Sequence, residues 1–211
     1  MAITLNITPT NENLCGKSHW WGAPDLPADM PYPYVRVTED GEEYDEPLTF
    51  ICQIRLSDIA ALDKDNLLPH TGMLYFFAAI DYFLGEESPL LLPGNGYTGE
   101  LIRVIYSPQE SDLAPYEIHW AGTDESIFRP AEAIEFAADD AASGDGMRML
   151  CRPYPEEVDS QYLGYVTLLQ VDEEDRWNLR FYDCGSLFFM INKDALSRRQ
   201  FDKVVTQLYY L

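Results

Sequence analysis

Leu48-Thr49-Phe50-Ile51-Cys52-Gln53-Ile54 is an apolar run with one amide near its end, and Thr71-Gly72-Met73-Leu74-Tyr75-Phe76-Phe77 follows it after a polar excursion. The same order returns as Val166-Thr167-Leu168-Leu169-Gln170-Val171 and Cys184-Gly185-Ser186-Leu187-Phe188-Phe189-Met190. Short runs of branched and aromatic residues bounded by turn signals predict strands. We therefore predict a duplicated architecture, in which each copy contributes a strand, an excursion, a glycine turn and a second strand.

The composition predicts one folded unit. The chain has 211 residues, of which 46% are apolar and 13% aromatic, and this is enough apolar material for a core without disulfide staples. We expect a single domain over residues 1–211. Its predicted repeat halves are 1–138 and 147–211, joined by the aspartate- and glycine-rich segment 139–146.

Further elements surround the two repeats. Alternating residues predict strands over 101–106, 116–120 and 204–210. A proline followed by good helix formers predicts a helix over 129–138, and Asn192 predicts the N-cap of a second helix that runs to Phe201. The predicted class is α+β, with a largely antiparallel sheet, an internal pseudo-two-fold repeat and a few short helices.

The charge of the chain restricts its partners. Thirty-six acidic residues against 14 lysines and arginines give a formal net charge of −22. Such a field repels nucleic acid and anionic lipid and attracts a basic partner protein. We therefore expect neither a nucleic-acid nor a membrane partner. The alternative role for the acidic residues is to keep an aromatic-rich protein in solution.

No apolar run approaches the roughly 18 residues of a membrane span, and the first residues lack the features of a signal peptide. We therefore expect a cytoplasmic protein. Its four cysteines have no C-x-x-C spacing, so we expect free thiols and no bound metal at Cys15, Cys52, Cys151 and Cys184.

Several short motifs resemble those of the YwqG-like proteins, a bacterial family catalogued as a domain of unknown function. The motifs are Gly22-x-Pro24-x-Leu26-Pro27, Pro47-Leu48-x-Phe50-Ile51-x-Gln53-Ile54, Leu68-Pro69-x-x-Gly72-x-Leu74-x-Phe76-Phe77 and Leu168-Leu169-Gln170-Val171 with Asp183-x-Gly185-x-Leu187-x-Phe189. Their order and spacing cover the chain from about residue 18 to its end. The resemblance implies an α+β fold built around a largely antiparallel sheet, and it implies no activity.

Two segments depart from the pattern of that family. Its members commonly carry a basic residue and a glycine pair where this chain has Lys17-Ser18-His19-Trp20-Trp21-Gly22. A glycine-proline segment of the family is replaced by Arg152-Pro153-Tyr154-Pro155, without the glycine. A family ligand that contacts the first of these loops would therefore meet different side chains here.

Gln53 and Gln170 are amides inside apolar strands, and a buried amide without partners would cost about 1 to 3 kcal/mol. One interpretation is a pseudo-symmetric pair that lines a pocket between the repeats. The other is that each amide binds backbone groups and holds its strand in register. Both interpretations stay open at the level of sequence.

The proline-rich loop 22–33 is flanked by aromatic residues that are typical of recognition surfaces. The interaction candidates are His19, Trp20, Trp21, Tyr32 and Tyr34. The alternative is that both tryptophans pack onto the sheet.

Signals for catalysis and for cofactors are weak. His19, His70 and His119 have no metal-ligand spacing, and the acidic clusters 39–46 and 172–175 lack the pattern of a calcium loop and indicate solvated turns. The glycine-rich segment 94–99 leads into a predicted strand, so it indicates a hairpin loop and not a phosphate site. Asp81 and Asp183 are ligand-binding candidates that would form an acid/base pair if they converge. No cofactor is predicted.

Three hypotheses follow. The first is a non-enzymatic interaction module that offers an acidic and aromatic surface to a basic partner, as immunity or antitoxin-type proteins do. The second is a small-ligand binding protein with its pocket between the repeats. The third is a hydrolase-type enzyme that uses Asp81, Asp183 or a histidine.

Overall fold

The computed structural model describes residues 2–39, 41–80, 96–182 and 184–210, which form fifteen strands and three short α-helices. The strands are β1 (Ala2–Pro9), β2 (His19–Trp20), β3 (Asp25–Pro27), β4 (Tyr34–Glu39), β5 (Glu42–Pro47), β6 (Thr49–Arg55), β7 (Met73–Ala78), β8 (Gly96–Tyr97), β9 (Ile102–Ser107), β10 (Leu113–Pro115), β11 (Glu132–Asp139), β12 (Arg148–Met149), β13 (Tyr165–Asp172), β14 (Ser186–Asn192) and β15 (Val205–Tyr209). The α-helices are α1 (Leu56–Ile59), α2 (Glu156–Gln161) and α3 (Lys193–Ser197), and 3-10 turns lie at Gly99–Leu101, Asp175–Trp177 and Phe201–Lys203.

Eleven of the strands form one sheet, in the spatial order β9-β7-β6-β2-β11-β1-β12-β13-β14-β15-β8. Every pairing in it is antiparallel. Its two end strands, β8 and β9, are separated by only residues 98–101 along the chain, which reach about 14 Å when fully extended. The sheet therefore curls until its ends approach each other, and Phe76 of β7 contacts Phe189 of β14 with ring centroids 5.5 Å apart.

The two repeat strand pairs lie where the sequence predicts them, as β6–β7 and β13–β14. Their residues are buried on both faces of the sheet. The inner faces form the main apolar core, which Trp20, Ile54 and Leu168 share. Outside β7, Leu26 and Tyr32 cover Tyr75 and Phe77, whereas α2 covers the outer side of β14. This double coverage explains the nearly continuous apolar runs.

The α+β class predicted from the sequence is wrong, because the described residues form a predominantly antiparallel β fold in which no α-helix exceeds six residues. The main error concerns residues 129–138, predicted as a helix. They contain β11, which pairs with β1 over eight residues and with β2 on its other side. Ile134 and Phe136 are two residues apart, so a strand places both against the core, and this packing outweighs the helix propensity of the alanines and glutamates.

The remaining predicted elements have mixed outcomes. The strands predicted over 101–106 and 204–210 are confirmed as β9 and β15. Residues 116–120 form a single bridge, His119 with Ser126, and not a strand. Asn192 caps α3 as predicted, since its side chain accepts from the Asp194 N–H at 2.9 Å, but the helix ends at Ser197.

Candidate functional site

Gln53 lies at the centre of a buried polar cluster. It faces His19 across the β6–β2 pairing and is fully buried. Its Oε1 accepts from the Asp25 N–H at 2.8 Å, and its Nε2 donates to the Lys17 carbonyl at 2.9 Å and to Asp25 Oδ2 at 2.6 Å. The amide therefore ties β6 to β3 and to the loop that precedes β2.

The Asp25 carboxylate completes this cluster and is 1% exposed. Its Oδ2 accepts from the Gly16 N–H at 2.9 Å and lies 3.4 Å from His19 Nε2. Burial alone would raise the pKa of Asp25, but hydrogen bonds from His19, Gly16 and Gln53 and the charge of His19 lower it overall. The other ring nitrogen of His19, Nδ1, is 2.7 Å from the Trp21 carbonyl, to which it donates. Each polar group here is thus held by the protein itself.

Gln170 forms a second buried cluster, opposite Arg148 on β12. Its Nε2 donates to the carbonyls of Gly144 and Gly146, both at 2.9 Å, and to Asp172 Oδ1 at 3.2 Å. Asp172 also accepts from Ser186 Oγ at 2.6 Å and from the Gly146 N–H at 2.5 Å. Burial raises the pKa of Asp172, and these hydrogen bonds offset that effect only in part.

The two clusters have a similar arrangement of hydrogen bonds, but the two glutamines have no hydrogen-bond partner in common. In each, the amide donates to the carbonyl two residues before its cross-strand neighbour, which is Lys17 before His19 and Gly146 before Arg148. Four strands separate β6 from β13 in the sheet. Neither glutamine lines the two clefts described below. Both amides therefore make the contacts expected of side chains that hold neighbouring strands in register.

Four of the five aromatic and histidine interaction candidates are buried. His19, Trp20, Trp21 and Tyr32 are at most 4% exposed, whereas Tyr34 is 42% exposed. Trp20 stacks on Trp177, a residue of the second half, with ring centroids 5.7 Å apart. The Tyr32 hydroxyl donates to the Leu48 carbonyl at 2.6 Å, and burial raises its pKa. Asp81 and Asp183, the other two candidates, lie outside the described residues.

The acidic segment 42–46 belongs to a hairpin of β4 and β5 that was not predicted from the sequence. Strands β4 and β5 pair only with each other and lie outside the main sheet. Val35 is buried against the body of the protein, while residues 42–46 are all exposed. Tyr44 is 44% exposed and faces Val37 across the hairpin. In the sequence, the position of Tyr44 between Glu43 and Asp45 was the feature that could have indicated this exposed surface.

One open cleft, of roughly 440 Å³, lies between β1 and residues 172–177. The basic residue Arg176 in its lining pairs with two carboxylates. Arg176 binds Glu132 at 2.5 Å and lies 4.4 Å from the centroid of the Trp177 ring. The Trp177 indole N–H donates to the same carboxylate at 2.6 Å. These contacts hold the 3-10 turn at Asp175–Trp177 against β11, so they stabilise the fold.

A second cleft, of roughly 500 Å³, lies between the end strand β9 and residues 199–204. Its walls are apolar, with Ile102, Val104 and Phe201, and its charged residues include Arg103 and Arg199. These residues belong to opposite ends of the sheet. The basic character of residues 193–203 is visible in the sequence, but their position beside β9 is not.

The described residues contain no group of three or more carboxylate, imidazole or thiol side chains placed to hold a metal ion. His19 is buried, whereas His70 and His119 are exposed. All four cysteines are free, Cys15 and Cys184 on the surface and Cys52 and Cys151 in the interior. Within the same described residues, no helix has the length and apolar character needed to cross a membrane.

Comparison with protein families identifies the family of this chain. No curated protein sequence shows significant similarity to this chain. A family model described as a domain of unknown function, DUF1963, matches residues 18–144 and 129–209 in two overlapping segments, and so covers most of the sequence. The chain therefore belongs to the DUF1963 family.

Proposed function

We propose that this protein is a non-enzymatic cytoplasmic interaction module that binds a basic partner protein through the β4–β5 hairpin. The observation that carries the proposal is the separate, exposed position of this hairpin. Its strands contain five acidic residues against the single base Arg36, in a chain with a net charge of −22. A role of the immunity or antitoxin type would use such a surface.

The hairpin keeps a net negative charge, because Arg36 is the only base in the sequence of its two strands. Arg36 binds Asp45 through two nitrogens, at 2.6 and 3.3 Å, and lies 3.6 Å from Glu43. Glu42 and Glu46 are both exposed. Exposed carboxylates attract a basic surface and accelerate its association, and exposed tyrosines contribute contact area. Tyr34 and Tyr44 provide that area.

The test is a comparison of three proteins as bait in lysate of the native organism. The first is wild type, and the second carries Glu42→Gln, Glu43→Gln and Glu46→Gln, which spares the Arg36–Asp45 pair. The third, a control of equal charge, carries Glu117→Gln, Asp124→Asn and Glu125→Gln at other exposed positions.

We expect a basic protein to be retained by wild type and control, to be lost by the hairpin variant, and to elute as salt is raised. Purified partner and bait should then reproduce this order of affinities. Equal retention by all three proteins would refute a role for the hairpin.

We also infer that the chain is a YwqG-like member of its family and that its two halves are repeats. From the centre of the sheet outward, one side has the order β2-β6-β7-β9 and the other side has the corresponding order β12-β13-β14-β15. The first strand of each half, β1 or β11, lies beside the strands of the other half. Strand β1 pairs with β12, and β11 pairs with β2. In this scheme the second unit begins with β11 at Glu132, whereas the second half predicted from the sequence begins at residue 147.

A further inference from the structure

One edge of strand β9 pairs with no strand of the described residues. The Ala79 N–H donates to the Leu101 carbonyl at 2.8 Å, in the same register that places Ala78 opposite Ile102. Because bonding alternates along an antiparallel pair, every second residue of β9 directs its backbone groups toward β7. The backbone N–H and carbonyl groups of the alternate residues, Ile102, Val104 and Tyr106, therefore point away from β7. No backbone hydrogen bond from the described residues reaches them there.

The segment that lies opposite this edge does not form a strand that pairs with β9. Thr206 and Gln207 of β15 pair with β8, so the preceding residues would lie beside β9 if they remained extended. They form the 3-10 turn at Phe201–Lys203 instead. The result is the cleft of roughly 500 Å³ between β9 and residues 199–204. We call it the edge groove.

Two arginines, Arg103 and Arg199, line this groove together with one acidic residue, Asp202. Eight of the 14 lysines and arginines lie within 4.0 Å of a carboxylate. Arg103, Lys193, Arg198 and Arg199 have no carboxylate within that distance in the described part of the chain. Lys203 pairs only with its own neighbour Asp202, and both are well exposed.

The two arginines of the groove are also held in place. The Arg103 guanidinium donates to the Ile102 carbonyl at 3.0 Å, which keeps it beside the strand edge. Arg199 lies over the Tyr106 ring, 6.0 Å from its centroid. A protein with a net charge of −22 thus positions two arginines, which pair with no described carboxylate, beside the outward-facing backbone groups of β9.

We propose that the edge groove binds an extended, acidic segment of a partner protein, which adds as a strand to β9. Backbone bonds to Ile102, Val104 and Tyr106 would provide affinity, as in other cases of strand addition. Side chains alternate along a strand, so one set would lie on the side of Phe201, Val204 and Arg199, which packs on Tyr106, while the other set would lie on the side of Arg103. The six residues of β9 match a segment of similar length.

The charge of the groove is opposite to that of the β4–β5 hairpin, so this is a second surface with its own ligand. An extended peptide fits better than a small anion, because the groove combines a strand edge, apolar walls and two arginines. Nucleic acid fits poorly, since the rest of the molecule would repel it.

The test measures fluorescence anisotropy of a labelled octapeptide of alternating glutamate and valine, with the full-length protein. One control peptide carries N-methyl groups on alternate backbone nitrogens and cannot pair as a strand, and another replaces glutamate by lysine. The protein variant is Arg103→Gln with Arg199→Gln. Its control of equal charge is Arg152→Gln with Arg180→Gln, which removes two arginines that pair with Asp159 and Asp175.

We expect the glutamate peptide to bind wild type and the control variant alike, and the groove variant to bind about tenfold more weakly. Both control peptides should bind at least about tenfold more weakly to wild type. The hairpin variant of the preceding section should bind the glutamate peptide as wild type does, which separates the two proposals. Thermal unfolding of each variant verifies that it is folded.

Three results would overturn the proposal. The first is no binding of the glutamate peptide at about 1 mM, the weakest affinity of interest. The second is equal binding of the N-methylated peptide or full displacement by inorganic phosphate, since either shows that ion pairing alone is at work. The third is a dimer in sedimentation experiments without peptide that the groove variant abolishes, because a second copy of this chain would then occupy the groove.

Discussion

Replacing Gln53 by leucine should destabilise the protein strongly, although leucine is apolar and of similar size. The side chain is fully buried and makes three hydrogen bonds, to the Asp25 N–H, the Lys17 carbonyl and Asp25 Oδ2. Leucine leaves the Asp25 N–H and the Lys17 carbonyl without this partner. A buried polar group left unsatisfied costs about 1 to 3 kcal/mol, and the burial of leucine recovers part of that loss. We expect the free energy of unfolding to fall by about 3 kcal/mol.

The assay is urea unfolding followed by tryptophan fluorescence, since Trp20, Trp21 and Trp177 are buried. Gln200→Leu is the matched control, because Gln200 is exposed and its replacement should change stability by less than about 0.5 kcal/mol. A second variant, Gln53→Glu, keeps the shape of the side chain but sets a carboxylate where an N–H group now lies 2.6 Å from Asp25.

The Gln53→Glu variant adds a pH dependence to this prediction. Two carboxylates this close cannot both ionise, so the fold raises the pKa of the pair. The deficit in stability relative to wild type is then largest above that pKa and shrinks as pH falls through it. The reasoning fails if Gln53→Leu is as stable as Gln200→Leu, or if the deficit of Gln53→Glu is the same at every pH.

Three further predictions concern other buried groups. The lowered pKa of Asp25 means that its contribution to stability is present above its unfolded pKa of about 3.9 and is lost as pH falls through the folded value, so Asp25→Asn should flatten the acid limb of a stability–pH curve. Gly72→Ala should destabilise by at least about 1 kcal/mol more than Gly16→Ala in urea unfolding. Both glycines have positive φ, but a Cβ at Gly72 would lie 2.4 Å from the Ser107 carbonyl oxygen, and one at Gly16 meets no atom within 4 Å. Finally, a thiol reagent should modify Cys15 and Cys184 in the native protein, and Cys52 and Cys151 only after unfolding, because both are buried and burial raises the pKa of Cys151 to about 12. Mass spectrometry of the labelled peptides distinguishes the four sites.

The strands of the two repeats were predictable because local signals agree there. Strands β6, β7, β13 and β14 are covered on both faces, so their apolar runs are nearly continuous and end at turns. Strand β11 was mistaken for a helix because its alanines and glutamates favour one. Its conformation is decided by β1, which lies more than a hundred residues earlier in the chain. Secondary-structure propensity is a local property, so it cannot predict a strand whose pairing partner lies that far away in the sequence.

The candidate sites show the same limit. Gln53 and Gln170 were recognisable as buried amides, because a polar residue in an apolar strand needs partners. Trp20 and Trp21 looked like recognition residues on a proline-rich loop, yet Trp177 from the other half packs against both. The edge groove joins Arg103 to Arg199 across the two ends of a sheet, and only the closure of that sheet brings them together.

The inferred duplication explains where these features lie. Each half gives its first strand to the other, so β1 and β11 pair at the centre of the sheet, and neither half is complete without its partner. The buried glutamine clusters lie on either side of this centre, where both halves have the same pairing to satisfy. At the edge groove the outer parts of the two halves lie beside each other, and there their structures differ, with a regular strand at β9 and a 3-10 turn at Phe201–Lys203. A duplicated sheet needs like contacts at its centre in order to fold, whereas its far ends are free to diverge. The positioned arginines lie at those ends, and this is the part of the fold in which binding can change without disturbing the register of the sheet.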